Sequence, residues 1–137
     1  MIVLDASAAL EWLVRSPVGL EVEGRIDRPD ESAHAPHLLD VEVLQVLRRL
    51  ARDGDLAADA GSVLADDLAA LAVARHPHHR LLPRAWALRD SLTAYDAMYV
   101  ALAEALDCPL VTCDARLARA HGHRARVEVI GRAKPRR

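Results

Sequence analysis

The chain begins with three apolar residues, Ile2-Val3-Leu4, that end abruptly at Asp5. Two of the three are β-branched, and a helical pattern, Ser7-Ala-Ala-Leu-Glu-Trp-Leu13, starts directly after the acid. A strand this short and this uniformly apolar has no polar face to offer water. It suits the middle of a parallel sheet covered on both sides. The strand–acid–helix junction then sets Asp5 at the carboxyl edge of the sheet, where open α/β folds keep their ligands. Asp is also a favoured helix N-cap, so Asp5 alone is ambiguous between capping and chemistry.

The alternation continues along the chain. A first helix is predicted over residues 6–15, and Ser16-Pro17 opens a second that runs to Ile26. Ser32–Pro36 reads as a short strand, and Pro36 or His37 opens a long helix. Its apolar positions Leu39, Val43, Val46, Leu47 and Leu50 keep the 3.6-residue period, and Gly54 suits its C-terminal cap. Another helix starts at Asp55 or Asp59 and runs to Ala70, followed by a strand at Leu71–Arg75. Pro77 and Pro83 bracket a loop rich in His and Arg. Residues 84–89 read as helix, and Thr93 caps a strongly apolar helix, Ala94–Leu106. A strand at Pro109–Thr112, a short helix over residues 115–120 and a last strand at Val127–Ile130 complete the pattern. Strands alternating with helices predict an α/β fold with right-handed crossovers and a central parallel sheet of four to five strands. The domain spans residues 1–130, and the basic tail 131–137 is expected to be disordered.

Bulk properties narrow the function classes. A chain of 137 residues suits one domain, and 52% apolar residues give it a full core without staples. Phe is absent, so that core is built from Leu, Val and Ala in closely packed helices. No apolar run approaches the roughly 20 residues of a membrane-crossing helix. The opening lacks the basic region of a secretory leader, which points to the cytoplasm. Cys108 and Cys113 have no metal-ligand spacing and read as reduced core thiols. A net charge of −2 imposes no global field toward nucleic acid.

Asp114 repeats the logic of Asp5: apolar Leu110 and Val111 precede it, and helix follows. In a parallel sheet both acids lie on the same edge. Asp96 falls in the first turn of its helix, three residues after Thr93, where a capping box gives it an ordinary explanation. Yet it shares a helical face with Tyr99 and Val100 rather than with polar residues. Glu42 has the poorest structural excuse, because Leu38, Leu39 and Val46 are its helical neighbours. A carboxylate in an apolar stripe requires a partner. Together, Asp5, Glu42, Asp96 and Asp114 all follow a strand or open the next helix, which puts four acids on one rim. Close like charges raise pKa values or demand a cation. Oxygen ligands without His or Cys suit Mg²⁺, or Mn²⁺, and such ions bind phosphate and activate water for phosphodiester cleavage.

At these residues the chain resembles the PIN-domain nucleases, and among them the VapC-type toxins of bacterial toxin–antitoxin pairs. The resemblance covers Met1 to about Ile130. It is carried by Val3-Leu-Asp5-Ala-Ser7-Ala, by Glu42 within Asp40-Val-Glu-Val-Leu, by Leu92-Thr-Ala-Tyr-Asp96-Ala-Met-Tyr-Val-Ala-Leu-Ala, and by Leu110-Val-Thr-Cys-Asp114-Ala-Arg-Leu. It implies a three-layer α/β/α fold and a Mg²⁺-dependent endoribonuclease. The acidic ligands would be Asp5, Glu42, Asp96 and Asp114, with Ser7 and Thr112 as supporting hydroxyls. It also implies a homodimer, an RNA substrate and a VapB-type antitoxin that carries the DNA-binding function. In role terms, Asp5 and Asp96 are expected to hold the principal ion, with Asp114 and Glu42 completing the shell or orienting water.

Other residues fit this frame less firmly. Arg75, Arg80 and Arg84 are candidates for contacting RNA phosphate, although a solvated basic loop explains them equally well. His76, His78 and His79 fit no zinc spacing. Tyr95 and Tyr99 suit helix packing better than base stacking, and Trp12 and Trp86 suit core or dimer contacts. Two rivals remain. A metal-dependent phosphatase would need a second acid where Ser7 stands and a placed lysine, and Lys134 in the tail is the only lysine. A non-catalytic scaffold would bind protein alone.

Overall fold

β1, Ile2–Leu4, lies at the centre of a five-stranded parallel sheet, with all three residues fully excluded from solvent. This is a computed structural model, and it describes residues 1–131; the predicted basic tail falls almost wholly outside them. The elements are β1, α1 (Ala6–Leu13), α2 (Pro17–Ile26), β2 (Ala33–Pro36), α3 (Leu38–Arg52), α4 (Ala58–Ala70), β3 (Val73–His76), α5 (Leu82–Ala87), α6 (Ala94–Leu106), β4 (Leu110–Thr112), α7 (Ala115–Arg119) and β5 (Val127–Val129). Strand order is β3-β2-β1-β4-β5, parallel throughout. From β1 the chain steps outward to β2 and β3, then crosses back to β4 and on to β5. Right-handed crossovers therefore place α1–α4 on one face and α5–α7 on the other. α1 packs on α2, α3 and α4, whereas α6 lies on β1 and β2 and packs with α5. The result is the three-layer α/β fold expected.

The order reverses between β1 and β4, whose connections leave in opposite directions. That crevice is the topological switch point, at the carboxyl ends of the strands. Register brings the two strand ends together, because Val3 pairs with Leu110 and Leu4 with Val111. The next residues, Asp5 and Thr112, therefore face each other across the crevice.

The helix starts follow their caps. Asp5 accepts from the Ala8 amide, Ser16 from Gly19 ahead of Pro17 at the first position, and Thr93 from Asp96. Two boundaries differ from those expected, both at prolines. Pro36 closes β2 rather than opening a helix, and Pro83 sits inside α5, which starts at Leu82. The core is aliphatic, with Leu39, Val43, Leu88, Val100 and Leu117 among its fully buried members, and Tyr99 is its largest side chain. Tyr95 is instead exposed, as is Trp86, which stacks under Arg89 at 4.8 Å. Cys108 and Cys113 carry free thiols. No described helix is long and apolar enough to cross a membrane.

α2 crosses the end of α1 at Gly19 so closely that a Cβ there would lie 1.9 Å from the Glu11 carbonyl oxygen. Gly19→Ala must push the two helices apart. The expected cost is about 2 kcal/mol, a Tm lower by roughly 5–10 °C in a thermal melt followed by circular dichroism.

Candidate active site

Asp5 leaves β1 almost fully buried, at 5% exposure, and both carboxylate oxygens are held. Oδ1 accepts from Ser7 Oγ at 2.7 Å and from the Ala8 amide at 3.0 Å. Oδ2 accepts from Thr112 Oγ1 at 2.6 Å, across the crevice from β4. The two hydroxyls lie 3.2 Å apart and each accepts a backbone amide: Cys113 N–H donates to Ser7, and Asp114 N–H to Thr112. Capping and site geometry are thus one arrangement. The acid that starts α1 is fixed by the strand that carries Asp114.

The other acids arrive from separate elements. Glu42 sits in the second turn of α3, half-buried, with Oε1 sealed from solvent and without a hydrogen-bond partner. The Tyr99 hydroxyl is equally buried and unpartnered. It faces Glu42 closely enough to draw the Glu42 carboxyl down against the effect of burial, although neither atom meets full hydrogen-bond geometry. Asp96 opens α6, and Asp114 opens α7.

Their electrostatics tie the four together. Burial raises the Asp5 carboxyl above its ordinary range, against the pull of Thr112, Ala8 and Ser7, and the charge of Asp96 raises it further. Glu42 is raised by burial, against the pull of the Tyr99 hydroxyl, and further by Asp96 and Asp5. Asp96 is raised by burial and then by Asp114. Asp114 differs: Arg116 holds it below the usual range. The Arg116 guanidinium grips both oxygens of Asp114, at 2.6 to 3.1 Å, while its own amide caps the same carboxylate. Each acid of the set therefore acts on another across the strand ends, although among the described residues no three of them stand as a closed ligand shell.

This donor set suits a hard divalent cation. It is all oxygen, and it offers a buried carboxylate oxygen with nothing to bind. Cys113, beside it, is no competing thiolate, because burial and the Asp5 charge push its thiol up to about 12. Asp5, Glu42, Asp96 and Asp114 are the residues that could hold such an ion.

Two of the three basic residues expected to contact RNA are held by other groups. Arg75 donates to Asp40 and to the carbonyls of Leu68, Leu71 and Val73, which uses its fork to stitch α3, α4 and β3 together. Arg84 pairs with Glu104, eight residues and about 12 Å along α6 from Asp96. Arg80 is exposed. One site neighbour is absent from the expected set: Arg116, which stands only two residues from Asp114. Tyr99, the i+3 neighbour of Asp96, packs in the core as expected and also borders Glu42.

Residues 2–122 match the PIN domain family. The chain belongs to the PIN-domain family. Within it, ribonuclease VapC12 of Mycobacterium tuberculosis is 42% identical over 95% of this chain and 99% of its own length. This PIN domain also superposes on PAE2754 of Pyrobaculum aerophilum, with TM-score 0.65 and 26% identity, covering 92% of this chain and 82% of that one. VapBC2 of Rickettsia felis, solved bound to a fragment of promoter DNA, has the same fold at TM-score 0.70 and 11% identity, covering 96% and 100%.

The raised acids carry a stability consequence. A carboxyl whose folded pKa exceeds its unfolded value of about 4 favours folding below that value. The benefit is lost as pH rises through the raised folded value. In the PIN domain kept in EDTA, Glu42→Gln and Asp96→Asn are therefore expected to stabilise at pH 7.5, each by up to about 1 kcal/mol, and to have little effect near pH 4. Asp114→Asn should do the reverse, since its pKa is lowered: it costs stability at pH 7.5. Denaturant titrations at the two pH values check the signs.

Proposed function

We propose that this chain is a VapC-type endoribonuclease, the toxin of a toxin–antitoxin pair, which hydrolyses RNA phosphodiesters with Mg²⁺ or Mn²⁺ held by Asp5, Asp96, Asp114 and Glu42. The observation that carries this reading is the buried, unpartnered Glu42 Oε1 among acids that raise one another's pKa values. Such an arrangement is unfavourable as a resting structure and makes sense as a cation site. The names of the relatives support it.

When bound, the cation supplies Lewis acidity toward water and phosphate oxygen. The chain's own residues do the rest. Ser7 and Thr112 hold the Asp5 carboxylate in one orientation, so its lone pairs are aimed before any ligand arrives. Glu42, whose carboxyl is raised above its ordinary range by burial and by Asp96 and Asp5, is suited to take a proton from the attacking water. Tyr99 closes the floor behind Glu42 and excludes bulk water. Asp96 and Asp114 present carboxylates from two different helix starts, which lets them face a phosphate from two sides.

The same reading assigns a VapB-type antitoxin that blocks the site and reaches DNA, a homodimer as the resting form, and a cytoplasmic location. A phosphatase is disfavoured, because Ser7 serves as a donor to Asp5 where that chemistry needs a second acid.

Incubation with total RNA and with a phosphomonoester, each with Mg²⁺ or with EDTA, tests the proposal. RNA cleavage only with metal is expected, and release of phosphate from the ester would point to the rival enzyme. Asp5→Asn and Glu42→Gln should each slow RNA cleavage by at least about a hundredfold. Cutting at the wild-type rate by Asp5→Asn would refute the assignment.

A further inference from the structure

A nuclease site made of acids repels its own substrate, so cations must stand next to it. Arg75 and Arg84 are engaged in structural pairs. The cations beside the rim are instead on α7 and just after it. A groove of about 380 Å³ runs from Asp96 past Thr93 and Ser91, and is lined on its other side by Arg116, Arg119 and His121. Arg119 and His121 are exposed, and Arg119 is in no ion pair among the described residues.

Arg116 has two faces to its role. Its side chain is 80% exposed, yet it forms a forked pair with Asp114, the acid with the lowest pKa of the four. A guanidinium fork fits carboxylate and phosphate with the same geometry. An exposed pair of this kind costs little to open. A divalent cation and Arg116 also compete for the same two oxygens, because both oxygens of Asp114 are taken.

We propose that this groove seats the phosphate backbone of a single-stranded RNA beside the acid rim, and that Arg116 is an exchangeable clamp. It holds Asp114 in the resting chain and passes to an RNA phosphate when Asp114 turns to a divalent cation. The proposal rests on the nuclease reading above. It gives Asp114 a counter-ion while the site is empty of metal, and it couples loading of the cation to tightening on substrate.

Two binding measurements on the full chain test it, neither of which reads activity. Mn²⁺ affinity is measured without RNA. Affinity for a short, nuclease-resistant phosphorothioate RNA is measured by fluorescence anisotropy, in Mn²⁺ and in EDTA. Arg116→Ala is expected to bind Mn²⁺ about threefold or more tightly, since a competitor is gone, yet to bind RNA in Mn²⁺ about fivefold more weakly. Its salt dependence should flatten by about 0.7 in log–log slope, the value of one phosphate contact on a single strand. In EDTA its RNA affinity should change by less than about twofold, because there the wild-type Arg116 is still on Asp114. Arg119→Ala should weaken RNA binding in both conditions and leave Mn²⁺ affinity unchanged, and Arg116→Lys should recover part of the loss. Arg48→Ala, on α3, serves as the control. If Arg116→Ala matches wild type in both affinities, or if it loses RNA affinity equally with and without metal, the clamp is overturned. If the wild type cuts RNA while all variants bind as it does, this proposal alone fails. If the wild type neither binds nor cuts RNA, the nuclease reading fails and takes the proposal with it.

Discussion

The Asp5–Thr112 hydrogen bond is the contact on which the site depends. It spans the crevice between β1 and β4, the one place where the sheet's connections diverge. A buried carboxylate is costly without donors, and here the donors come from both strands' ends and from the amide of Ala8. The same hydroxyl accepts the Asp114 amide, so the position of a second acid follows from the position of the first. Sheet register, helix capping and the placement of the acids are therefore one geometric problem with one solution. Substitution of Thr112 would loosen all three.

Above that anchor the acids are deliberately unbalanced. Three are pushed toward their neutral forms by burial and by one another, while the fourth is neutralised by its neighbouring arginine. In structural terms the resting site is strained electrostatically, and the strain is local because the apolar framework beneath is continuous. Ile2, Val3, Leu4, Leu110 and Val111 are all fully buried under the rim. The aliphatic core supplies stability that the functional edge gives up.

Much of this could be read from the chain alone. The apolar run ended by Asp5 is buried on both faces as its composition requires, and the Glu42 carboxylate has an oxygen sealed from solvent beside the Tyr99 hydroxyl. These readings succeed because burial of a strand and discomfort of a charge are local properties. Arg75 and Arg84 show where local reading stops. Both looked like free loop cations, but their partners Asp40 and Glu104 lie 35 and 20 residues away in sequence. Pairings across such separations depend on how helices pack, which periodicity does not encode. The Arg116–Asp114 pair is the opposite case: its partners are two residues apart, a separation local enough to be legible in sequence.

The far edge of the sheet has a different kind of anchoring. β5 has only three residues, all partly exposed, and its Glu128 is fastened to Arg25, which is itself buried and shared with Glu31. Charge supplements the apolar contacts of Val127 and Ile130 in fastening this margin. Cooperative opening should accordingly begin here, with β5 detaching as a small unit while the other four strands stay closed. Because α7 packs on β5 and carries Arg116, slow breathing of that margin would reach the acid rim without any disturbance of the core.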